Sequence, residues 1–240
     1  MIDALLPPFP PASIGGAIEF IFGSQSSNVT GGKKVGGLEQ VVELMLNQLE
    51  VTLFALALAT AIALPVGLYL GHRGVGELFA VGLGNVGRAV PELALIALMA
   101  AVVGVGVLNL TIALTVLGIP PILTNAFVGI RQVDRATVDA ARGIGMTETE
   151  ILFKVEMPLA VSTLMAGIRS AMIAIVATAT IGPIAGVLTL GDFIINNNVY
   201  GENGLLAGGI LVAVLALALE FLLARLQRLL TSRGLRLSES

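Results

Sequence analysis

The chain of 240 residues contains no cysteine and a single histidine, His72. Without cysteine it can form no disulfide, no thiolate zinc site and no cysteine nucleophile. One histidine cannot supply the usual multi-histidine metal site. We therefore assign no metal ligand and no catalytic residue, and we expect that this chain performs no covalent chemistry.

Charged residues are also scarce. They make up 12% of the chain, against about 25% in a typical soluble domain. Hydrophobic residues make up 56%, and the mean hydropathy is +0.95. One buried helix cannot explain so large a deficit, so lipid must be the solvent for most of the chain. The net charge of −3 is too small to indicate a nucleic-acid partner. We predict an all-α integral membrane protein.

Five stretches of the chain are candidates for membrane spans, since about 20 apolar residues cross the roughly 30 Å hydrocarbon core. They are residues 51–70, 78–108, 110–130, 159–181 and 204–224. Residues 182–195 are apolar too, but Pro183 and several glycines break them, which favours a re-entrant or extracytoplasmic segment. The prediction is therefore about five spans, with six possible.

The rest of the chain divides around these spans. Residues 1–37 are rich in proline, glycine and serine and are predicted to be a flexible extracytoplasmic segment. Residues 38–230 form the transmembrane domain, and residues 231–240 form a cytoplasmic tail. Residues 38–49 have apolar positions at helical spacing, which predicts an amphipathic helix at the membrane surface. Small residues recur every fourth position in the first span, a pattern that favours close helix packing; they are Ala55, Ala59, Ala63, Gly67 and Gly71.

The basic residues predict the orientation, because cytoplasmic loops collect lysine and arginine. With five spans, one side receives only Lys33 and Lys34. The other side receives nine basic residues, which are Arg73, Arg131, Arg135, Arg142, Lys154, Arg225, Arg228, Arg233 and Arg236. We therefore predict a multi-pass protein of a prokaryotic inner or plasma membrane, with its N-terminus outside and its C-terminus and the 131–157 loop in the cytoplasm.

The 131–157 loop contains two predicted short helices. Thr147 and Glu150 have the spacing of a capping box, which predicts a helix start, and Pro158 suits the first turn of the following span. Gly145 would permit a bend between the two helices. The small side chains of Ala140 and Ala141 would let another protein approach the backbone closely.

This loop resembles the "EAA" loop of ABC importer permeases, whose pattern is Glu-Ala-Ala, three residues, Gly, nine residues and Ile-x-Leu-Pro. Asp139 stands for the glutamate, and Ala140, Ala141 and Gly145 match. Val155, Met157 and Pro158 follow at the expected distance. In that family the loop is a coupling helix that docks on a separate ATPase subunit. The resemblance implies a MetI-like type I ABC importer permease fold, with ATPase coupling at Asp139, Ala140, Ala141, Gly145, Met146, Glu150 and Pro158.

Further motifs resemble the osmoprotectant subgroup of these permeases, which moves glycine betaine, carnitine and choline. They are Gly84-Asn85 with Arg88, Pro91 and Leu93-Ala94-Leu95, then residues 141–147, then residues 166–171. The resemblance implies a permease dimer, made with itself or a homologue, two ATP-binding cassette subunits and an extracytoplasmic substrate-binding protein. Arg88 and Glu92 depart from the uncharged polar residues usual in that subgroup.

Charges inside spans are costly, so they normally face protein or a water-filled path. Arg88 and Glu92 are four residues apart and could pair on one helix face. They either line the translocation path or form a structural ion pair. Together with Asn85 and Pro91 they are our candidates for the path or gate. Arg169, near mid-membrane, is a further candidate that needs a partner, either Glu92 or a carboxylate of a second subunit. Glu220 is predicted to be a peripheral charge without a functional role.

The chain lacks a nucleotide-binding motif, because no G-x-x-x-x-G-K-[ST] occurs. We expect ATP and Mg²⁺ on the partner ATPase and no cofactor in this chain. It also lacks tryptophan and has only two tyrosines, which leaves little for an aromatic cage around a quaternary ammonium group. High-affinity capture of such a solute is therefore expected on another protein.

Two alternatives remain open from the residues alone. The first keeps the ABC assignment but changes the solute to an amino acid or an organic sulfonate. The second is an ion-coupled secondary transporter or channel subunit, in which the intramembrane charges would be ion or proton sites. The small number of spans and the 138–158 loop favour the ABC importer, which would carry glycine betaine or choline-type solutes.

Overall fold

The computed structural model describes residues 12–27 and 29–231, without the side chains of Asn85, Val86 and Arg88. Apart from one short hairpin, the regular elements in this part of the chain are helices. Four of them are long and apolar enough to cross a membrane. The protein is thus a multi-pass, all-α membrane protein, as its composition predicted.

Residues 14–26 and 34–36 are folded, which corrects the prediction of a flexible segment for this part of residues 1–37. Helix α1 (Ile14–Phe22) is followed by strands β1 (Ser24–Ser26) and β2 (Lys34–Gly36), which pair antiparallel. Phe20 of α1 is fully buried. Its ring meets those of Phe193 and Tyr200 edge-to-face, at centroid distances of 5.2 and 6.2 Å. Packing of the Phe20 ring on a distant part of the chain thus helps to anchor a segment whose composition favours a loop.

The first span is one continuous helix, α2 (Leu38–Arg73), of 36 residues. The predicted surface helix at residues 38–49 is therefore not separate. Nothing between Leu49 and Val51 caps or breaks a helix, and the apolar face of the early turns is buried, as at Val41 and Leu44. At 1.5 Å per residue α2 is about 54 Å long, well beyond the hydrocarbon thickness.

The second candidate span is two helices, α3 (Glu77–Ala89) and α4 (Glu92–Val103). Val90 between them is extended, with φ −75° and ψ 121°. Pro91 explains the break, because its ring disfavours helical geometry at the preceding residue and it has no N–H to donate. Arg88 and Glu92 therefore do not share one helix face, which removes the premise of the predicted pairing between them.

The third span is helix α5 (Val107–Arg131), which runs without interruption through Pro120 and Pro121. Helix α5 packs along α2, and the small residues of α2 lie at the contact. A Cβ on Gly67 would come within 2.5 Å of the Ala126 Cβ. Ala55, Ala59 and Ala63 are fully buried as well. The close packing that the small-residue pattern predicted is therefore present.

Short elements connect α5 to the fourth span. Helix α6 (Arg135–Gly143) is followed by α7 (Glu148–Ile151), a π-helical turn (Leu152–Glu156) and α8 (Met157–Leu159). The span itself is α9 (Val161–Ala179), which packs on α5. Pro158 lies in α8, one short helix before the span where it was expected.

The C-terminal part begins with a 3-10 turn (Gly182–Ala185) and α10 (Asp192–Ile195). Helix α11 (Asn197–Leu230) follows and is the last span, with non-helical backbone at Gly201. The main apolar core lies between α2, α5, α9 and the segment around Leu190 and Phe193. Buried Gln48 of α2 ties this segment down, accepting from the Leu190 amide at 3.1 Å and donating to the Val176 carbonyl at 3.2 Å.

Candidate coupling loop and transport cavity

Helix α6 begins at a side-chain cap and turns one face inward. The Asp134 carboxylate accepts a hydrogen bond from the Ala136 amide at 3.2 Å, a common helix start. Val138 and Ala141 on the inner face are buried against Ile151 of α7. The 131–157 loop is therefore a packed unit, with an apolar core of its own that continues into the spans.

The tip of the loop lies between α6 and α7. Gly145 has a φ of +89°, a left-handed conformation that strains any residue with a Cβ. Here the chain reverses, and the Met146 amide donates back to the Ala141 carbonyl at 3.2 Å. Ile144 is 82% exposed at this turn.

Helix α7 starts with the predicted capping box. The Glu150 amide donates to the Thr147 hydroxyl at 3.3 Å, and the Thr147 amide donates to the Glu150 carboxylate at 3.0 Å. Lys154 donates to the same carboxylate at 2.8 Å. The hydrogen bond from Lys154, helped by those from Thr147, lowers the pKa of Glu150 to about 2. Glu150 is therefore ionised at neutral pH and positions the start of α7.

An exposed ion-pair cluster joins α6 to α7. Arg142 donates to both carboxylate oxygens of Glu148, through Nε at 2.9 Å and Nη2 at 3.1 Å, and to Asp139 through Nη1 at 3.2 Å. The hydrogen bonds that Arg142 donates to Glu148 lower the pKa of Glu148 and raise the pKa of Arg142. This bidentate pair holds the two arms of the loop at a defined angle.

The predicted coupling residues divide between the two sides of the loop. Asp139, Ala140 and Gly145 are exposed, whereas Met146 is half-buried. Ala141 is buried in the loop's own core, which corrects the expectation that its small side chain admits an approaching partner. Its small size serves internal packing instead, because α6 lies directly on α7.

His72, absent from the predicted site, connects the loop to the first span. It lies at the end of α2, where its Nδ1 is 2.5 Å from Glu156 Oε2 and its Nε2 is 3.1 Å from Glu148 Oε2. Glu156 is fully buried. Two sequence features could have revealed the pair: a lone histidine at the predicted cytoplasmic end of a span, and a carboxylate placed among apolar residues just before Pro158.

A cavity of about 400 Å³ opens among α3, α4, α5 and α9. Its lining includes Glu92, Leu117, Asn125 and Ser170. The Leu117 carbonyl lacks its usual helical donor, because residue 121 is proline and has no N–H. Glu92 contributes a carboxylate to this lining.

Of the predicted path residues, Glu92 lines this cavity and Arg169 on α9 does not. Pro91 forms the break between α3 and α4, and exposed Glu92 is the first residue of α4. Asn85 and Arg88 belong to α3, but their side chains lie outside the described residues.

Arg169 instead turns toward α11. It donates to Glu220 through Nε at 2.8 Å and also through Nη2, and to Gln227 through Nη1 at 3.0 Å. The prediction that Arg169 pairs with Glu92 or with a carboxylate of a second subunit is therefore wrong. Glu220 is the partner, so the prediction that it is a peripheral charge is wrong as well. The long Arg169 side chain reaches along α11 to both partners. The number of residues between Arg169 and Pro158 gives its depth in the membrane but could not reveal these contacts. In the described part of the chain, no three carboxylate or imidazole groups converge to hold a metal ion.

Known proteins resemble this chain over most of its length. Residues 63–234 match the family model for the binding-protein-dependent transport system inner membrane component. The carnitine transport permease protein OpuCB of Listeria monocytogenes is 39% identical over 187 residues, covering 78% of this chain and 86% of that protein. The choline transport system permease protein OpuBB of Bacillus subtilis is 35% identical over 187 residues, with the same coverage.

The fold also resembles a solved structure. An inward-facing conformation of the MetNI methionine ABC transporter superposes with a TM-score of 0.70, at 23% identity, over 81% of this chain and 98% of that one. At this identity the likeness concerns the fold alone, and it agrees with the predicted MetI-like architecture. The chain therefore belongs to the family of binding-protein-dependent transport system inner membrane components, as an ABC importer permease that crosses the membrane several times.

Proposed function

We propose that this chain is the translocation subunit of an ATP-driven importer for quaternary-ammonium osmoprotectants such as glycine betaine, carnitine and choline. The coupling loop carries this proposal. It presents Ile144 on a rigid glycine turn, and its inner face is packed against the spans. A partner that moves the tip would therefore move the helices behind it. The relatives' names, which refer to carnitine and choline, support the solute class.

The importer would place two ATPase subunits below the loop and a substrate-binding protein on the opposite face. A second permease copy or a homologue would complete the membrane dimer. ATP and Mg²⁺ would bind to the ATPase subunits, so that this chain performs no hydrolysis. Its part is conformational: nucleotide on one side and loaded binding protein on the other bias two arrangements of the spans. The excess of basic residues on one side supports an outside N-terminus and a cytoplasmic C-terminus.

The cavity lined by Glu92 is the proposed route for the solute. Its volume of about 400 Å³ exceeds the smallest ligand pockets. The Glu92 carboxylate suits a cationic head group, because it attracts the positive charge electrostatically. Pro91 supports a gating role for the same region, because the break at Val90 lets α3 and α4 move as separate helices.

The test is copurification of the ATPase with tagged permease, comparing Ile144→Asp with Ile14→Asp. Both isoleucines are exposed, at 82% and 71%, but Ile14 lies on α1, far from the loop in the sequence. We expect Ile144→Asp to lose the ATPase and ATP-dependent uptake, because a charge would enter an apolar contact. Ile14→Asp should retain both. Wild-type permease that purifies without any ATPase, or Ile144→Asp that retains it, would contradict the proposal.

A further inference from the structure

The first span is not directly continuous in sequence with the coupling loop, because α3, α4 and α5 lie between them. Residues 132–134 join the loop to α5, and the π-helical turn (Leu152–Glu156) joins it through α8 to α9. Helix α2 meets the loop through apolar packing, as at Leu68, and through the polar contacts of His72. Apolar packing is non-directional, so a sliding movement of the loop would be transmitted weakly by Leu68 alone.

His72 makes the directional connection. Its side chain is 8% exposed, and its two ring nitrogens face carboxylates on different parts of the loop. Nδ1 faces Glu156 of the π-helical turn at 2.5 Å, and Nε2 faces Glu148 of α7 at 3.1 Å. Glu148 in turn is held by Arg142 of α6. One imidazole therefore links α2 to all the helical parts of the loop.

Both ring nitrogens of His72 face carboxylate oxygens. A neutral imidazole has one N–H and one lone pair, and the lone pair would face a carboxylate oxygen. Glu156 is fully buried, and its Oε1 has no hydrogen-bond partner among the described residues. An ionised carboxylate in such a place needs a positive partner. Two other charged residues lie nearby. Arg142 donates hydrogen bonds to Glu148, and Arg73 of α2 interacts electrostatically with Glu148.

We propose that His72 is a positioning residue that transmits the movement of the coupling loop to the first span. The proposal rests on the proposed importer function. It assigns α2 an active part in the transport cycle, coupled to the ATPase through Glu148 and Glu156. Removal of the imidazole breaks both polar contacts and leaves α2 linked chiefly by apolar packing.

The experiment uses proteoliposomes that contain the permease, its ATPase and its binding protein. Solute uptake and phosphate release are measured in the same sample, as solute moved per ATP. His72→Gln should lower this ratio about fivefold or more, a usual size for coupling between sites. His72→Lys, which keeps a polar donor facing the two carboxylates, should keep a higher ratio than His72→Gln.

Two further variants keep the test decisive. Glu148→Gln leaves the buried His72–Glu156 pair in place, so it should fold even where His72→Gln does not, and it should lower the ratio. Arg73→Gln removes an exposed neighbouring charge and should keep the wild-type ratio. A His72→Gln or Glu148→Gln importer with the wild-type ratio would overturn the proposal. Absence of ATP-driven uptake in wild type would instead contradict the importer function itself.

Discussion

Arg169 on α9 and Glu220 on α11 form an ion pair between two membrane-spanning helices, with Nε 2.8 Å from Oε1. The Arg169 side chain is 33% exposed and that of Glu220 is 25% exposed. Gln227 accepts a further hydrogen bond from the same guanidinium at 3.0 Å. The pair thus secures the last span, which makes far fewer buried contacts than α2 or α5, to the helix that follows the coupling loop.

Arg169→Gln should destabilise the protein by roughly 1–3 kcal/mol, because it leaves the Glu220 carboxylate half-buried without its charged partner. Glu220→Gln should have a similar cost for the same reason. The double variant should cost less than the sum of the two, since neither charge is then left alone. Thermal melting of the detergent-solubilised protein measures all three. Additive effects would mean that the pair is not coupled.

Gly145→Ala should weaken binding of the ATPase about fivefold or more, because a φ of +89° costs a residue with a Cβ about 1–2 kcal/mol. Gly143→Ala is the matched control. Both sites have open space where the Cβ would lie, but Gly143 is the last residue of helix α6, where alanine is favourable. Affinity measured by titrating ATPase onto the immobilised permease checks both. Equal affinity for the two variants would show that the turn conformation is not needed for docking.

Phe20→Ala should release α1 and the hairpin from the bundle, because it removes a fully buried ring that packs on Phe193 and Tyr200. We expect a loss of about 3–5 kcal/mol. Phe22→Ala removes the same number of atoms from a side chain that is 70% exposed and should be close to neutral. Limited proteolysis within residues 12–36 measures the release. Equal cleavage of both variants would contradict the anchoring role of Phe20.

Glu92→Gln should lower the uptake of cationic choline relative to zwitterionic glycine betaine. The cavity loses its carboxylate, which attracts the ammonium of both solutes but repels the carboxylate of betaine. We expect a change in the uptake ratio of up to about fivefold, since an exposed charge pair contributes up to about 1 kcal/mol. Glu77→Gln is the control, because Glu77 is likewise the first residue of its helix but does not line the cavity. An unchanged ratio in competition uptake would exclude Glu92 from solute selection.

Local patterns predicted the helices well. The apolar runs at residues 110–130, 159–181 and 204–224 correspond to α5, α9 and α11, because lipid solvation depends on composition within a single segment. Pro91 marks the break between α3 and α4, yet the pairing of Arg88 with Glu92 was derived as if the helix continued. The Thr147–Glu150 capping box was predicted correctly, since both residues lie in one turn.

The sequence by itself therefore determined the lipid environment, the positions of the third, fourth and last spans and the local structure of the coupling loop. Each of these depends on residues within a few turns of one another. Only the tertiary structure decided which distant side chains meet: Arg169 with Glu220, 51 residues away, and His72 with Glu156, 84 residues away. The tertiary structure likewise decided that Phe20 packs on Phe193 and that Ala141 is buried inside the loop. Such contacts depend on how each helix is rotated and how deep it lies against its neighbours, and packing of the whole bundle sets that rotation.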